Sequence, residues 1–99
     1  MIVSANQVVG EIAAHIRDCG GAYSGWYVGI AAKPRDRLFT DHNVSEKNGS
    51  WIIRDAGSDA VARQIEQYFL DRGCKGGPGG GDWDSRFVYA YAITALTRE

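Results

Sequence analysis

The sequence predicts a small α+β domain, and three observations carry that prediction. Two stretches, near residues 4–20 and 59–72, repeat apolar side chains at the 3.6-residue spacing of an amphipathic helix. Three short runs, at 26–31, 51–54 and 86–94, are rich in aromatic and β-branched residues, as strands are. The chain has 99 residues, enough for one domain with one modest core, so residues 1–99 read as a single unit.

The first helix opens with Ser4 and Gln7, placed as a capping box. Val8, Val9, Ile12, Ala13 and Ile16 then form one apolar stripe, and Gly20-Gly21 ends the helix as glycine does. Trp26 to Ala31 is the first strand. Alternation puts Trp26, Val28 and Ile30 on one face and Tyr27, Gly29 and Ala31 on the other. A glycine inside a strand leaves room for a side chain or a ligand to approach the backbone closely. Pro34 suits the first turn of a short helix running to about His42. Asn48-Gly49 marks a turn, and Trp51 to Arg54 is the next strand.

Ser58 and Asp59 start the next helix, which runs to Arg72 and stops at Gly73. Its apolar arc holds Val61, Ala62, Ile65, Phe69 and Leu70. Glu66 falls inside that arc, between Phe69 and Leu70, where a carboxylate is costly unless it is paired or bound to a metal. Gly73 to Gly81, with six glycines and Pro78, reads as a loop. No Lys-Ser/Thr helix start follows it, as a phosphate loop would need. The last strand runs from Arg86 to about Thr94. Phe87, Tyr89, Tyr91 and Ile93 give it a large aromatic face, and Val88, Ala90 and Ala92 a small one.

Composition narrows the function classes. At 44% hydrophobic and 23% charged, the chain is ordinary for a globular protein. Its formal charge of −1 is a weak footprint for a nucleic-acid binder, although Lys33, Arg35 and Arg37 cluster. No run approaches the roughly 18 apolar residues that suggest a membrane span. The first residues lack a basic, then apolar, export signal, so a cytoplasmic location is expected. Cys19 and Cys74 are then expected to be free thiols.

Three segments carry a resemblance. Tyr27-Val28-Gly29 lies at the centre of an apolar run, Arg37 follows in Arg37-Leu38-Phe39-Thr40-Asp41-His42, and Glu66 comes later in Ala62-Arg63-Gln64-Ile65-Glu66. In order and spacing these resemble the GIY-YIG endonuclease superfamily over roughly residues 25–70. The resemblance implies a three-stranded, mainly antiparallel sheet flanked by helices. It implies metal-dependent hydrolysis of nucleic-acid phosphodiesters, with Glu66 holding Mg²⁺ or Mn²⁺. Arg37 would stabilise charge on the phosphate, and Tyr27 or Tyr89 would orient or deprotonate the attacking water. His42 would share the base role. The chain departs from the family in two places. The Gly-Ile-Tyr strand that normally precedes Tyr-Ile-Gly is missing, and no clear asparagine follows Leu70. Phe87-Val88-Tyr89 is a substitute for the missing strand, which implies a circularly permuted arrangement whose C-terminal strand pairs with 26–31.

Each residue also has a structural reading. Arg37 stands four residues before Asp41 and can pair with it on a helix surface. Tyr27 can be a packing aromatic, and His42 a helix-terminal residue favoured by the dipole. Two other functions therefore stay open: a non-catalytic binding module on the same scaffold, and an accessory protein that works through a partner or as a homodimer using the aromatic C-terminal strand as an exposed edge.

Overall fold

The computed structural model describes residues 5–77 and 84–99. Its elements are α1 (Ala5–Asp18), β1 (Trp26–Ala31), α2 (Pro34–Asp36), β2 (Trp51–Asp55), α3 (Asp59–Asp71) and β3 (Phe87–Ala92). A 3₁₀ turn at Tyr23–Gly25 leads into β1, and α2 widens into a π-helix over Arg37–Asp41. The fold is α+β, as the sequence predicts.

α1 buries Val8, Ile12 and Ile16 along its stripe. Gly20 and Gly21 follow with φ of 135° and 84°, and the Gly21 amide donates to the Ile16 carbonyl at 2.8 Å. This satisfies a carbonyl the helix end would otherwise leave open. Ser4, and with it the capping box, lies outside the described residues. α3 starts at Ser58, whose hydroxyl accepts from the Val61 amide at 3.2 Å. It buries Ala62, Ile65, Glu66 and Phe69.

The three strands are antiparallel in the order β1-β3-β2. The aromatic C-terminal strand is therefore the centre of the sheet, and its two sides are hydrogen-bonded to β1 and β2. It offers no free edge to a second copy, which corrects that version of the dimer expectation. Gly29 pairs with Tyr89, and Ile53 lies across from Tyr89 on the other side.

Alternation sorts the sheet into two faces. Trp26, Val28, Ile30, Ile52, Val88 and Ala90 form one core cluster with residues of α1 and α3. Tyr27, Ala31, Tyr89 and Tyr91 form a second cluster with Leu38 and Val44. The small face of β3 lies under the helices because only small strand residues let two helices approach closely.

The outer edges differ. Beyond β1, residues after α3 run alongside the strand. The Val28 amide donates to Lys75 at 2.9 Å, and the Lys75 amide donates to Trp26 at 2.8 Å. The start of the glycine-rich stretch is thus held to the sheet and is not a plain connector; Pro78 to Gly81 lie outside the described residues. On the β2 edge, the Arg54 guanidinium donates to the Ile53 carbonyl at 2.8 Å and pairs with Glu11 of α1.

The sequence reads one helix from Pro34 to about His42. The structure keeps that span but turns it wider, with the His42 amide donating to the Arg37 carbonyl at 2.9 Å. Residues five apart stand about 140° around an α-helix, whereas a π-turn brings them toward the same side. Among the described residues no helix is long and apolar enough to cross a membrane. Cys19 is an exposed free thiol and Cys74 a buried one, whose burial pushes its pKa up to about 11.

Candidate functional site

The aromatic face of the sheet gathers most of the residues singled out in the sequence. β1 supplies Tyr27, β3 supplies Tyr89 and Tyr91, and the two ends of the π-helix supply Arg37 and His42. Gly29 makes the cluster possible. A Cβ at that position would lie 2.5 Å from the Cζ and hydroxyl oxygen of Tyr89. The close approach that a strand glycine allows is therefore used by the Tyr89 ring, which lies across β1.

His42 is the hub. It is 4% exposed. Its Nε2 is 2.8 Å from the Tyr89 hydroxyl, and its Nδ1 is 2.6 Å from the main-chain carbonyl of Arg98. The Tyr91 hydroxyl donates to that same carbonyl at 3.0 Å and lies 3.1 Å from Nδ1. Tyr27 covers the cluster, with its ring centroid 4.6 Å from His42 and stacked 5.2 Å from Tyr91.

The electrostatics follow from burial. Burial, with the nearby Arg37 cation, lowers the His42 pKa and favours the neutral ring, although the Arg98 carbonyl opposes this. Burial pushes the Tyr89 hydroxyl up to about 12, Tyr27 adds to that shift, and the charge and hydrogen bond of Arg37 hold it down. Tyr27 is raised by burial; Arg37 lowers it and Glu66 raises it.

Arg37 combines both of its sequence readings. Its Nε lies 3.4 Å from an Asp41 carboxylate oxygen, the surface pair that the i,i+4 spacing suggests. That contact lacks hydrogen-bond geometry, and among the described residues the buried Nε has no hydrogen-bond partner. Its cation is coupled to the Tyr89 hydroxyl, which raises the pKa of Arg37 and holds that of Tyr89 down.

Glu66 stands in another layer of the fold. It projects from α3, which packs on the opposite face of the sheet, and it is 5% exposed. Burial raises its pKa, and the Arg63 cation only partly counters that. Its charge is felt at both Tyr27 and Tyr89. Arg37, His42, Tyr27 and Tyr89 are thus in one cluster, and Glu66 is coupled to its two tyrosines through space.

Among the described residues no group of three His, Cys, Asp or Glu side chains could enclose a metal ion. A single buried carboxylate does not fit a protein-only metal cage. The ion whose chemistry would suit one carboxylate is Mg²⁺, a small hard ion that keeps several waters and takes few protein ligands.

Two contributors escaped the sequence reading of the site. Tyr91 shares the strand parity of Tyr89, so alternation could have found it. Arg98 acts through its main chain, for which no side-chain pattern exists.

A separate cleft of about 730 Å³ opens beside β2, lined by Lys33, Arg35, Trp51, Arg54 and Phe87 among others. Arg35 pairs with Glu46 there and lies over the rings of Phe39 and Trp51. Compared with known proteins, the chain matches no family model, no curated sequence and no solved structure.

Proposed function

We propose that the protein is a metal-dependent phosphodiesterase acting on nucleic acid, built as a permuted relative of the GIY-YIG nucleases. The observation that carries this reading is the His42–Tyr89 hydrogen bond, with the Arg37 cation and the Glu66 carboxylate both acting electrostatically on Tyr89. The pairing of β3 with β1 supports it, because it puts Phe87-Val88-Tyr89 beside Tyr27-Val28-Gly29.

The residues divide the work. A Mg²⁺ held by Glu66 would supply Lewis-acid stabilisation of the phosphate. Tyr89 is a poor base alone, since its hydroxyl is held near 12. Coupled to neutral His42 it becomes a relay: Tyr89 accepts a proton from water as its own proton moves to His42 Nε2. The water oxygen bonds to phosphorus, the bond from phosphorus to the leaving sugar oxygen breaks, and that oxygen takes a proton from solvent. The remaining N–H groups of Arg37 face charge developing on the phosphate, which suits its fixed fork of donors. Tyr27 shields the relay from bulk water.

The test is cleavage of labelled single- and double-stranded DNA and RNA in Mg²⁺ or Mn²⁺, by wild type and Glu66→Gln. Metal-dependent cutting by wild type, lost in a folded Glu66→Gln, is expected. Absence of cutting by wild type on every substrate would overturn the reading. A second reading, a non-catalytic binding module, is favoured by the position of the cleft: its lining includes none of Tyr27, Arg37, His42, Glu66 and Tyr89. Oligonucleotide binding without cutting, weakened by Trp51→Ala, would select it.

A further inference from the structure

We infer that the segment after β3 is a positioning element of the site, its Arg98 main-chain carbonyl holding His42 in the Nδ1–H tautomer. The deduction rests on three contacts. A carbonyl oxygen has no proton, so an Nδ1···O distance of 2.6 Å is a hydrogen bond only if Nδ1 carries one. The opposite tautomer would set two lone pairs against each other at that distance. The Tyr91 hydroxyl donates to the same carbonyl at 3.0 Å, which orients that oxygen toward the ring. In the neutral ring Nε2 is then an acceptor, and its partner at 2.8 Å is the Tyr89 hydroxyl.

The segment is itself anchored to the residues it positions. The Arg98 amide donates to the His42 carbonyl at 2.7 Å, so residue 98 grips His42 through both its amide and its carbonyl. The Asn43 side-chain amide donates to the Leu96 carbonyl at 2.8 Å. Asn43 holds φ at 56°, a conformation asparagine tolerates and glycine adopts freely. Thr94 and Thr97 close the turn between, with the Thr94 amide donating to the Thr97 hydroxyl at 3.0 Å. The result is a second layer that fixes which ring nitrogen takes a proton, in the way a hydrogen bond at one imidazole nitrogen sets the role of the other.

This inference rests on His42 as the acceptor for Tyr89, but its test reads the resting protein and uses no substrate. Protein labelled with ¹⁵N at its two histidines gives long-range ¹⁵N–¹H spectra in which each tautomer has its own pattern, His15 serving as the internal reference. Intact protein should show His42 as Nδ1–H, and an Nε2–H pattern would overturn the inference. Arg98→Ala keeps the main-chain carbonyl and should leave the pattern unchanged; its loss would overturn the main-chain assignment. Removal of residues 96–99 should release His42 into a mixture of tautomers, and an unchanged Nδ1–H pattern would overturn the role of the segment. Should that truncation fail to fold, Asn43→Gly serves instead, since it preserves the backbone and removes one tether. The His42 Nδ1 proton should then exchange with water about fivefold faster, the scale of one lost hydrogen bond, and an unchanged rate would overturn the inference. Cleavage assays fail independently: no cutting with the Nδ1–H pattern intact removes the nuclease reading alone.

Discussion

The two faces of one three-stranded sheet have divided their labour. Under α1 and α3 the strand side chains include Trp26, Val28, Ile30, Ile52, Val88 and Ala90, apolar and nearly inaccessible, with no hydroxyl among them. On the other face they are Tyr27, Tyr89 and Tyr91, which bury as much bulk but carry hydroxyls that need partners. The first face is stabilised mainly by apolar burial, with Glu66 of α3 as its buried carboxyl group. The second is a polar network in an apolar setting, satisfied only while His42, Arg37 and the Arg98 carbonyl are in place. Stability belongs mainly to one face and chemistry to the other, and the strand period of two makes that separation available to a single strand.

The largest effect should come from the aliphatic face. Phe69 is fully buried, and Phe69→Ala should cost about 3–5 kcal/mol in chemical denaturation. A loss of that size is a large share of the about 5–15 kcal/mol that stabilises an ordinary domain; a loss smaller than that of Tyr89→Phe would break the division. Gly29→Ala joins the faces, since its methyl must displace the Tyr89 ring. A cost of about 1–3 kcal/mol is expected, with loss of the His42–Tyr89 hydrogen bond in the histidine spectra.

Tyr89→Phe keeps the ring and leaves His42 Nε2 buried without its donor, for about 1–3 kcal/mol. Cleavage should vanish while the far-ultraviolet circular dichroism stays native. Retained cleavage would remove Tyr89 from the relay.

Smaller still is the dependence on pH. The folded pKa of Glu66 is raised above its ordinary 4.5, so the folded state holds the proton longer than the unfolded chain. Its stabilising share is fully present below 4.5 and is lost as pH rises through the raised value. The folded pKa of His42 is lowered from 6.5, so its share is present above 6.5 and is lost as pH falls through the lowered value. Glu66→Gln should remove the first slope and leave the second, and stability curves at several pH values would show it. Phe69→Ala should change neither slope.

The smallest effect belongs to the β2 edge. Arg54→Ala removes an exposed ion pair with Glu11 and uncovers the Ile53 carbonyl. Stability should change by about 0–1 kcal/mol. Self-association in sedimentation should rise, because an uncovered edge strand recruits another.

Local patterns made much of this fold legible. The stripes of α1 and α3, the alternation in β1 and β3, and the glycines at the helix ends all act within a few residues. Glu66 was legible for the same reason, as a carboxylate inside an apolar arc. Three features were not. β3 takes the centre of the sheet through two pairings: that with β1 follows from the resemblance and from no local propensity, and that with β2, some 40 positions away, is not read from the sequence at all. The π-turn depends on what Leu38 and His42 pack against. The role of His42 at the centre of a network depends on a main-chain carbonyl 56 residues further on.

The short run after α3 ties these parts together. The Cys74 amide donates back to Phe69 of the helix that bears Glu66, and Lys75, the next residue, hydrogen-bonds to β1, the strand that bears Tyr27. Opening that contact would free a strand edge and unmoor the helix end in one event. The Val28 amide, which donates to Lys75, should therefore resist hydrogen exchange as long as the sheet interior does, making the rim of this sheet part of its slowest-exchanging core rather than a frayed border.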